Sequence, residues 1–266
     1  MSIEQSHESP LAAGPPAPWL SIVVPAYNER ARLGATLEHL RAFARGCGEP
    51  VEALVVDDGS LDGTAELAQA FDASPLALSV LRNDRNLGKG AAVRRGMLAA
   101  RGGLRLMFDA DASAEMDQFD RLLAELDRGA DICIGLRDMP DSVLDPPQPP
   151  GRRLAAWMFR ALRLRVLLPA LRDTQCGFKL FRAGAAEAVF ALQRESGWLF
   201  DCEVLALAER LGYRVREVGI RWRHRAGSRV RAASTAWSAA PALLRIRRRV
   251  ARLGGSWRTG HGRTMR

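Results

Sequence analysis

The first half of the chain carries five short apolar runs, each closed by polar or glycine-rich residues. Residues 20–24 give way to Pro25-Ala26-Tyr27-Asn28-Glu29, and residues 53–56 to Asp57-Asp58-Gly59-Ser60. Residues 78–81 lead into a stretch ending Asn86-Leu87-Gly88-Lys89-Gly90. Residues 104–108 stop at Asp109-Ala110-Asp111, and residues 131–135 at Leu136-Arg137. Runs this short with such ends read as buried strands. Between them the apolar spacing turns helical. Leu33, Leu37 and Leu40 share one face. So do Ala65, Ala68 and Phe71, with Asp62 as N-cap, then Ala92, Gly96 and Ala99, then Phe119, Leu122, Leu123 and Leu126. Alternating strand and helix predicts an α/β fold with a mostly parallel sheet flanked by helices. Such sheets bind ligands outside the carboxyl ends of their strands, so the polar tails should gather along one rim.

The second half is less regular. A proline-rich stretch, 139–151, is expected to be a mobile loop able to act as a lid. Residues 152–171 form a basic amphipathic segment. Residues 173–182 read as a turn and a strand, helices are expected near 183–192 and 201–211, and 213–223 reads as an alternating strand. Residues 236–253 form a second basic amphipathic helix with Pro241 in its first turn. The division that follows is a disordered lead-in over 1–18, one α/β domain over 19–232, and a basic helix and tail over 233–266.

Charge sharpens this picture. The net charge is +9 over 266 residues, but Tyr213 to Arg266 holds fifteen arginines against one acid, Glu217, leaving −5 for the rest. A basic end on an acidic body attracts phosphates, whether of a nucleotide, an anionic lipid or a nucleic acid. Nucleic acid is the poorest match. Only Trp222, Trp237 and Trp257 interleave the arginines, and no nucleic-acid motif is present. Cys47, Cys133, Cys176 and Cys202 are widely spaced and imply neither a zinc site nor a disulfide framework. There is no apolar run of membrane-spanning length and no secretory signal. The expected location is cytoplasmic, peripheral on the inner face of a membrane. The two basic amphipathic segments would lie on its anionic surface.

Two carboxylates one residue apart at a strand end, Asp109 and Asp111, repel each other and need a cation to share, a ligand to grip or ample water. Mg²⁺ and Mn²⁺ use one or two carboxylates together with substrate phosphates. The same residues also suit a bare polar strand end. Asp57 and Asp58 are placed to accept hydrogen bonds from a base or ribose, or to shape a turn. Residues 86–93 resemble part of a phosphate loop, with Lys89 facing an anion, but lack the full motif. Asp173, Asp201 and Glu203 are candidate catalytic carboxylates or surface charges. His224, Ser228 and Arg229 surround a glycine in a basic loop that suits a phosphate.

Taken together, these motifs resemble the family-2 glycosyltransferases of the GT-A fold. The likeness rests on residues 24–29, 56–60, 86–90 and 109–111. Residues 173–181, 200–203 and 221–230 look like the later motifs of the dolichyl- or polyprenyl-phosphate β-glucosyltransferase branch. That resemblance implies an inverting, metal-dependent transfer of a hexose, glucose from UDP-glucose foremost, to a lipid phosphate; a saccharide or small hydroxyl acceptor is the alternative. It implies that Pro25, Ala26, Tyr27 and Glu29 hold uracil and ribose, with Asp57 on the base or ribose side. Asp109 and Asp111 would carry the Mg²⁺ or Mn²⁺ and diphosphate, Asp111 most directly. Arg137 and Arg229 would approach the phosphates. Asp173 and Asp201 would sit near sugar and acceptor, and either would be the base if the acceptor is a neutral hydroxyl. Two departures stand out: Ala112-Ser113-Ala114 follows Asp111 where the branch often has a glycine, and Arg229 stands where a lysine is common.

Overall fold

The structure, a computed structural model, describes residues 17–137, 150–222 and 232–253. Its centre is a seven-stranded sheet. The strands are β1 (Leu20–Ala26), β2 (Val51–Asp57), β3 (Ala77–Arg82), β4 (Leu104–Phe108), β5 (Ile132–Leu136), β6 (Phe178–Arg182) and β7 (Val215–Gly219). They lie in the order β3-β2-β1-β4-β6-β5-β7. Burial follows position in the sheet. β1, β2, β4 and β5 are buried at every residue, as strands covered on both faces must be. The edge strands β3 and β7 are mixed. Of the strand expected over 213–223, only the five residues of β7 form one, while the alternation of burial runs from Tyr213 to Ile220.

β6 decides the site. It runs antiparallel to both β4 and β5, while the other pairs are parallel. Phe178, the first residue of β6, faces Phe108, the last of β4. The turn that enters β6 is thereby delivered to the carboxyl end of β4.

Helices α1 (Arg30–Cys47), α2 (Thr64–Ala70), α3 (Lys89–Ala99) and α4 (Phe119–Asp127) connect the first strands. Leu33, Leu37 and Leu40 of α1 are fully buried, as their spacing predicts. Asp62 accepts the backbone N–H of Thr64, but Gly63 occupies the cap position itself. In α3 the close packing rests on Gly96, where a Cβ would come within 2.3 Å of Val23 Cγ1. Ala99, expected on the same face, is exposed.

α5 (Pro150–Val166), α6 (Ala183–Leu192), α7 (Phe200–Arg210) and α8 (Ala232–Ala251) cover the other half. α8 packs on α5 and α7, burying Ala242, Leu243, Ile246 and Val250 in the core. Pro241 lies inside α8, not in its first turn, because the helix begins several residues before the apolar run that marks it in the sequence. Arg163 of α5 is 2% exposed and donates to the carbonyls of Leu171 and Arg172. It is a helix-end brace and not a surface charge. The loop 139–149, the lead-in 1–16 and the loop holding His224, Ser228 and Arg229 lie outside the described residues.

Candidate active site

The rim is built first by stitching two strand ends together. Pro25 and Ala26 end β1 as buried residues, with Ala26 beside Asp57 in the sheet. Tyr27 follows, half-buried. Asn28 takes a left-handed turn, φ 53°, which its short polar side chain tolerates. Its N–H donates to Ser60 Oγ at 2.7 Å, and its own Oδ1 accepts the N–H of Leu61 at 2.9 Å. Glu29 N–H donates to Thr64 Oγ1 at 2.8 Å. The Glu29 carboxylate receives both Nε and Nη2 of Arg32 at 2.6 Å. Arg32 in turn stands 4.0 Å from Asp111 Oδ2, a neighbour that the helical spacing of α1 gave no reason to single out.

The paired aspartates at the end of β2 divide their work. Asp57 is fully buried, accepts the N–H of Ser60, and lies 3.4 Å from Nε of Arg82. Asp58 accepts from Asn83 Nδ2 at 2.7 Å, Leu87 N–H at 3.0 Å and Gly88 N–H at 2.8 Å. It fixes the loop that carries Lys89. Of the two roles expected for the doubled aspartate, Asp58 takes the second and shapes the loop.

The glycines beside Lys89 serve the chain itself. A Cβ on Gly88 would lie 2.4 Å from the Ser196 carbonyl, and one on Gly90 2.5 Å from the Glu195 carbonyl. The 86–90 stretch thus docks on the 195–197 loop, and the space its glycines create is filled by backbone. Lys89 points elsewhere. Its Nζ makes an ion pair with Asp109 Oδ1 at 2.7 Å.

Asp109 sits on the β6 turn. Its N–H donates to the Gly177 carbonyl at 3.1 Å. A Cβ on Gly177 would lie 1.9 Å from Asp109 Oδ2, so the carboxylate rests directly on the glycine. Burial would raise the Asp109 pKa; Lys89 outweighs it, with Lys179 and Arg137 adding, and holds the group below the usual carboxylate range. Asp111 folds back to accept Ser113 N–H at 3.0 Å. Ala112 between them has φ 47°. The left-handed position is where a glycine would sit without strain; the alanine costs about 1–2 kcal/mol there.

Arg137 and Asp173 meet each other. Arg137 donates from Nε to Oδ2 at 2.7 Å and from Nη2 to Oδ1 at 3.0 Å. Its guanidinium lies 5.4 Å from the Trp222 ring centre. Asp173 also accepts Gln175 N–H, and Glu217 holds the backbone N–H groups of Arg172 and Asp173. Burial would raise the Asp173 pKa, and Arg137 reverses this to a net lowering.

Asp201 is 4% exposed and accepts Lys179 Nζ at 2.5 Å. It is enclosed and paired, and it lies within electrostatic reach of Lys89 and Asp109. Glu203 is fully buried as well, accepting the N–H groups of Arg194 and Glu195 and pairing with Arg249 of α8.

Among the described residues no group of three or more His, Cys, Asp and Glu could hold a metal alone. The fit is of the other kind. The Asp109 carboxylate, 31% exposed and in ion contact with Lys89, and Asp111, 26% exposed, form a partial donor set, and a hard divalent ion is satisfied by one or two such carboxylates plus phosphate oxygens and water.

Comparison with known proteins agrees with this architecture. The chain is 33% identical to dolichyl-phosphate beta-glucosyltransferase of Dictyostelium discoideum over 253 residues, covering 90% of this chain and 76% of that one. It is 37% identical to the protein of that name from Drosophila melanogaster over 224 residues, covering 79% and 69%. Its fold matches glucosyl-3-phosphoglycerate synthase from Mycobacterium tuberculosis, solved with Mn²⁺, UDP and glucosyl-3-phosphoglycerate. That match has a TM-score of 0.63 at 20% identity and covers 86% of this chain and 80% of that one. The sequence model described as Glycosyl transferase family 2 matches residues 21–190. With a strand-end aspartate pair on a GT-A-like sheet and a family match over most of its length, this chain belongs to glycosyl transferase family 2.

Proposed function

We propose that this chain transfers a hexose, glucose from UDP-glucose foremost, to the phosphate of a polyprenyl- or dolichyl-type lipid, with inversion at the anomeric carbon. The observation that carries the acceptor class is the Arg137–Asp173 pair. A general base works best with a pKa near the operating pH. Asp173 is held below the ordinary carboxylate range and both its oxygens are engaged by Arg137. An acceptor that arrives already anionic needs no base, and a phosphomonoester is largely dianionic at neutral pH (second pKa of about 6). The names of the relatives support the same acceptor.

In this reading a lipid-phosphate oxygen attacks C1 of the sugar. The bond from C1 to the β-phosphate oxygen breaks, and UDP leaves with the electron pair. Asp109 and Asp111 would hold a Mg²⁺ or Mn²⁺, which would supply positive charge to the diphosphate leaving group. Tyr27 and Glu29 line the base and ribose side with Pro25, Ala26 and Asp57 behind them. Lys89 shares Asp109 and faces the diphosphate. Arg137, braced by Asp173 and Trp222, steers the phosphates, and the family resemblance gives Arg229 the same role. Asp201, engaged by Lys179, is left out of the proton transfers of this reaction.

The membrane side of this reading draws on α5 and α8. Trp157 is 66% exposed and Met158 51% on α5, and Leu244 is 42% exposed on α8, whose Arg245 and Arg248 are also exposed. Apolar side chains beside arginines suit an anionic leaflet. No helix among the described residues is long and apolar enough to cross a membrane.

The test is a transfer assay with purified protein, Mg²⁺ or Mn²⁺, labelled UDP-glucose and a short polyprenyl phosphate, beside Asp111→Ala. Metal-dependent lipid-linked glucose, lost in the variant, is expected. Glucose transferred to a free saccharide and never to the lipid would overturn the acceptor.

A further inference from the structure

Of 39 basic residues in the chain only two are lysines, Lys89 and Lys179. Every other cation is an arginine, and the two exceptions both bear on Asp109. Lys89 touches its carboxylate. Lys179 lies on β6 two residues beyond Gly177, on whose Cα that carboxylate rests.

Lys179 is 1% exposed and spends its ammonium on two acceptors, the Cys176 carbonyl and Asp201 Oδ1, each at 2.5 Å. One belongs to the turn beneath Asp109 and the other to the first turn of α7. The ammonium therefore pins the Cys176–Gly177 turn to a helix. A point charge with three donors fits this place; the planar fork of an arginine is built for bidentate partners. Stability alone does not explain the pair. A buried ion pair is often no better for folding than apolar residues of the same volume.

We propose that Lys179 is a positioning residue for Asp109: by holding the Cys176 carbonyl it sets the height of the Gly177 turn, and with it the carboxylate that meets the metal-diphosphate. This rests on reading Asp109 and Asp111 as the metal pair. The turn has no slack to absorb an error, since Gly177 already touches Asp109 and also accepts its N–H.

The experiment compares two charge-neutral double variants of the full chain, Lys179→Gln/Asp201→Asn and Lys179→Met/Asp201→Asn. Both remove the ion pair, and only the first retains an N–H donor for the Cys176 carbonyl. Mn²⁺ binding in the presence of UDP is read by electron paramagnetic resonance, and folding by circular dichroism melting; Asp111→Ala is the reference. The methionine variant is expected to melt cooperatively and bind Mn²⁺ at least tenfold more weakly. The glutamine variant is expected to recover most of that loss. Equal Mn²⁺ affinity in wild type and methionine variant, with Asp111→Ala impaired, overturns the proposal. So does a methionine variant that fails to fold, since the lysine then serves the core. Undiminished Mn²⁺ binding by Asp111→Ala would instead remove the underlying reading of the aspartate pair.

Discussion

Replacing Gly177 by alanine tests the site at its tightest point. The new Cβ would stand 1.9 Å from Asp109 Oδ2 and 2.0 Å from its Cγ. Comfortable contact begins at about 3.5 Å. Carboxylate or turn must therefore move by roughly 1.5 Å, on the scale where misplacement of about 1 Å costs near 10²-fold in rate. A hundredfold loss corresponds to about 2.7 kcal/mol of barrier. The fold should suffer less, since overpacking costs about 1–3 kcal/mol, a shift of several degrees in Tm for a chain of this size. The assay is the initial rate of glucose transfer across a Mn²⁺ series, with a melting curve for each protein. The expected result is kcat/KM lower by about two orders of magnitude, with more Mn²⁺ needed for half-activation. Gly184→Ala is the control, because nothing lies within 4 Å of a Cβ there, and it should leave both readouts unchanged. A Gly177→Ala enzyme within threefold of wild type at every metal concentration would refute the idea that this glycine sets the Asp109 position.

Asp58→Ala strips the acceptor from Asn83, Leu87 and Gly88; a loss of about 3 kcal/mol should lower Tm by roughly 6–12 °C and raise KM for the donor, since the loop leading to Lys89 loses its anchor. Asp173→Asn should lower the rate without moving the acid limb of the pH–rate profile, which follows the lipid phosphate near pH 6, roughly; a limb that disappears with Asp173 would make this residue a base. The same variant carries a stability signature. Because the folded Asp173 pKa is depressed, its contribution is full above the unfolded value of about 3.9 and fades as pH falls through the folded one. The difference in urea midpoint between wild type and variant should therefore be constant from about pH 5 upward and shrink below about pH 4. Trp157→Ala/Met158→Ala should weaken binding to vesicles of phosphatidylglycerol about tenfold or more, as two exposed apolar side chains worth about 1.5–3 kcal/mol each when fully buried are removed; unchanged partitioning would take α5 out of the membrane reading.

The strands, the helices between them and the polar rim were legible in the sequence because their signals are local. A buried parallel strand is an apolar run, and its carboxyl end is where polarity returns. That logic placed Asp109 and Asp111 at the end of β4, Asp57 at the end of β2 and Arg137 just past β5. Pro241 was misjudged for the same reason: the amphipathic pattern begins later than the helix does. Local pattern carries no information about which distant group a charge will meet. Arg137 and Asp173 read as two separate site residues and proved to be one bidentate pair. Asp201 read as a catalytic carboxylate and was found enclosed against Lys179. Residues 86–93 resembled part of a phosphate loop, and their Gly88 and Gly90 were found packed on the 195–197 backbone and Phe200. The reversal of β6 lies behind the first two of these. An antiparallel strand inserted between β4 and β5 brings the 173–177 turn to the rim and Lys179 beneath it. Residue order along one strand is written in the chain, whereas the direction of its neighbour is settled only when the whole sheet closes its hydrogen bonds.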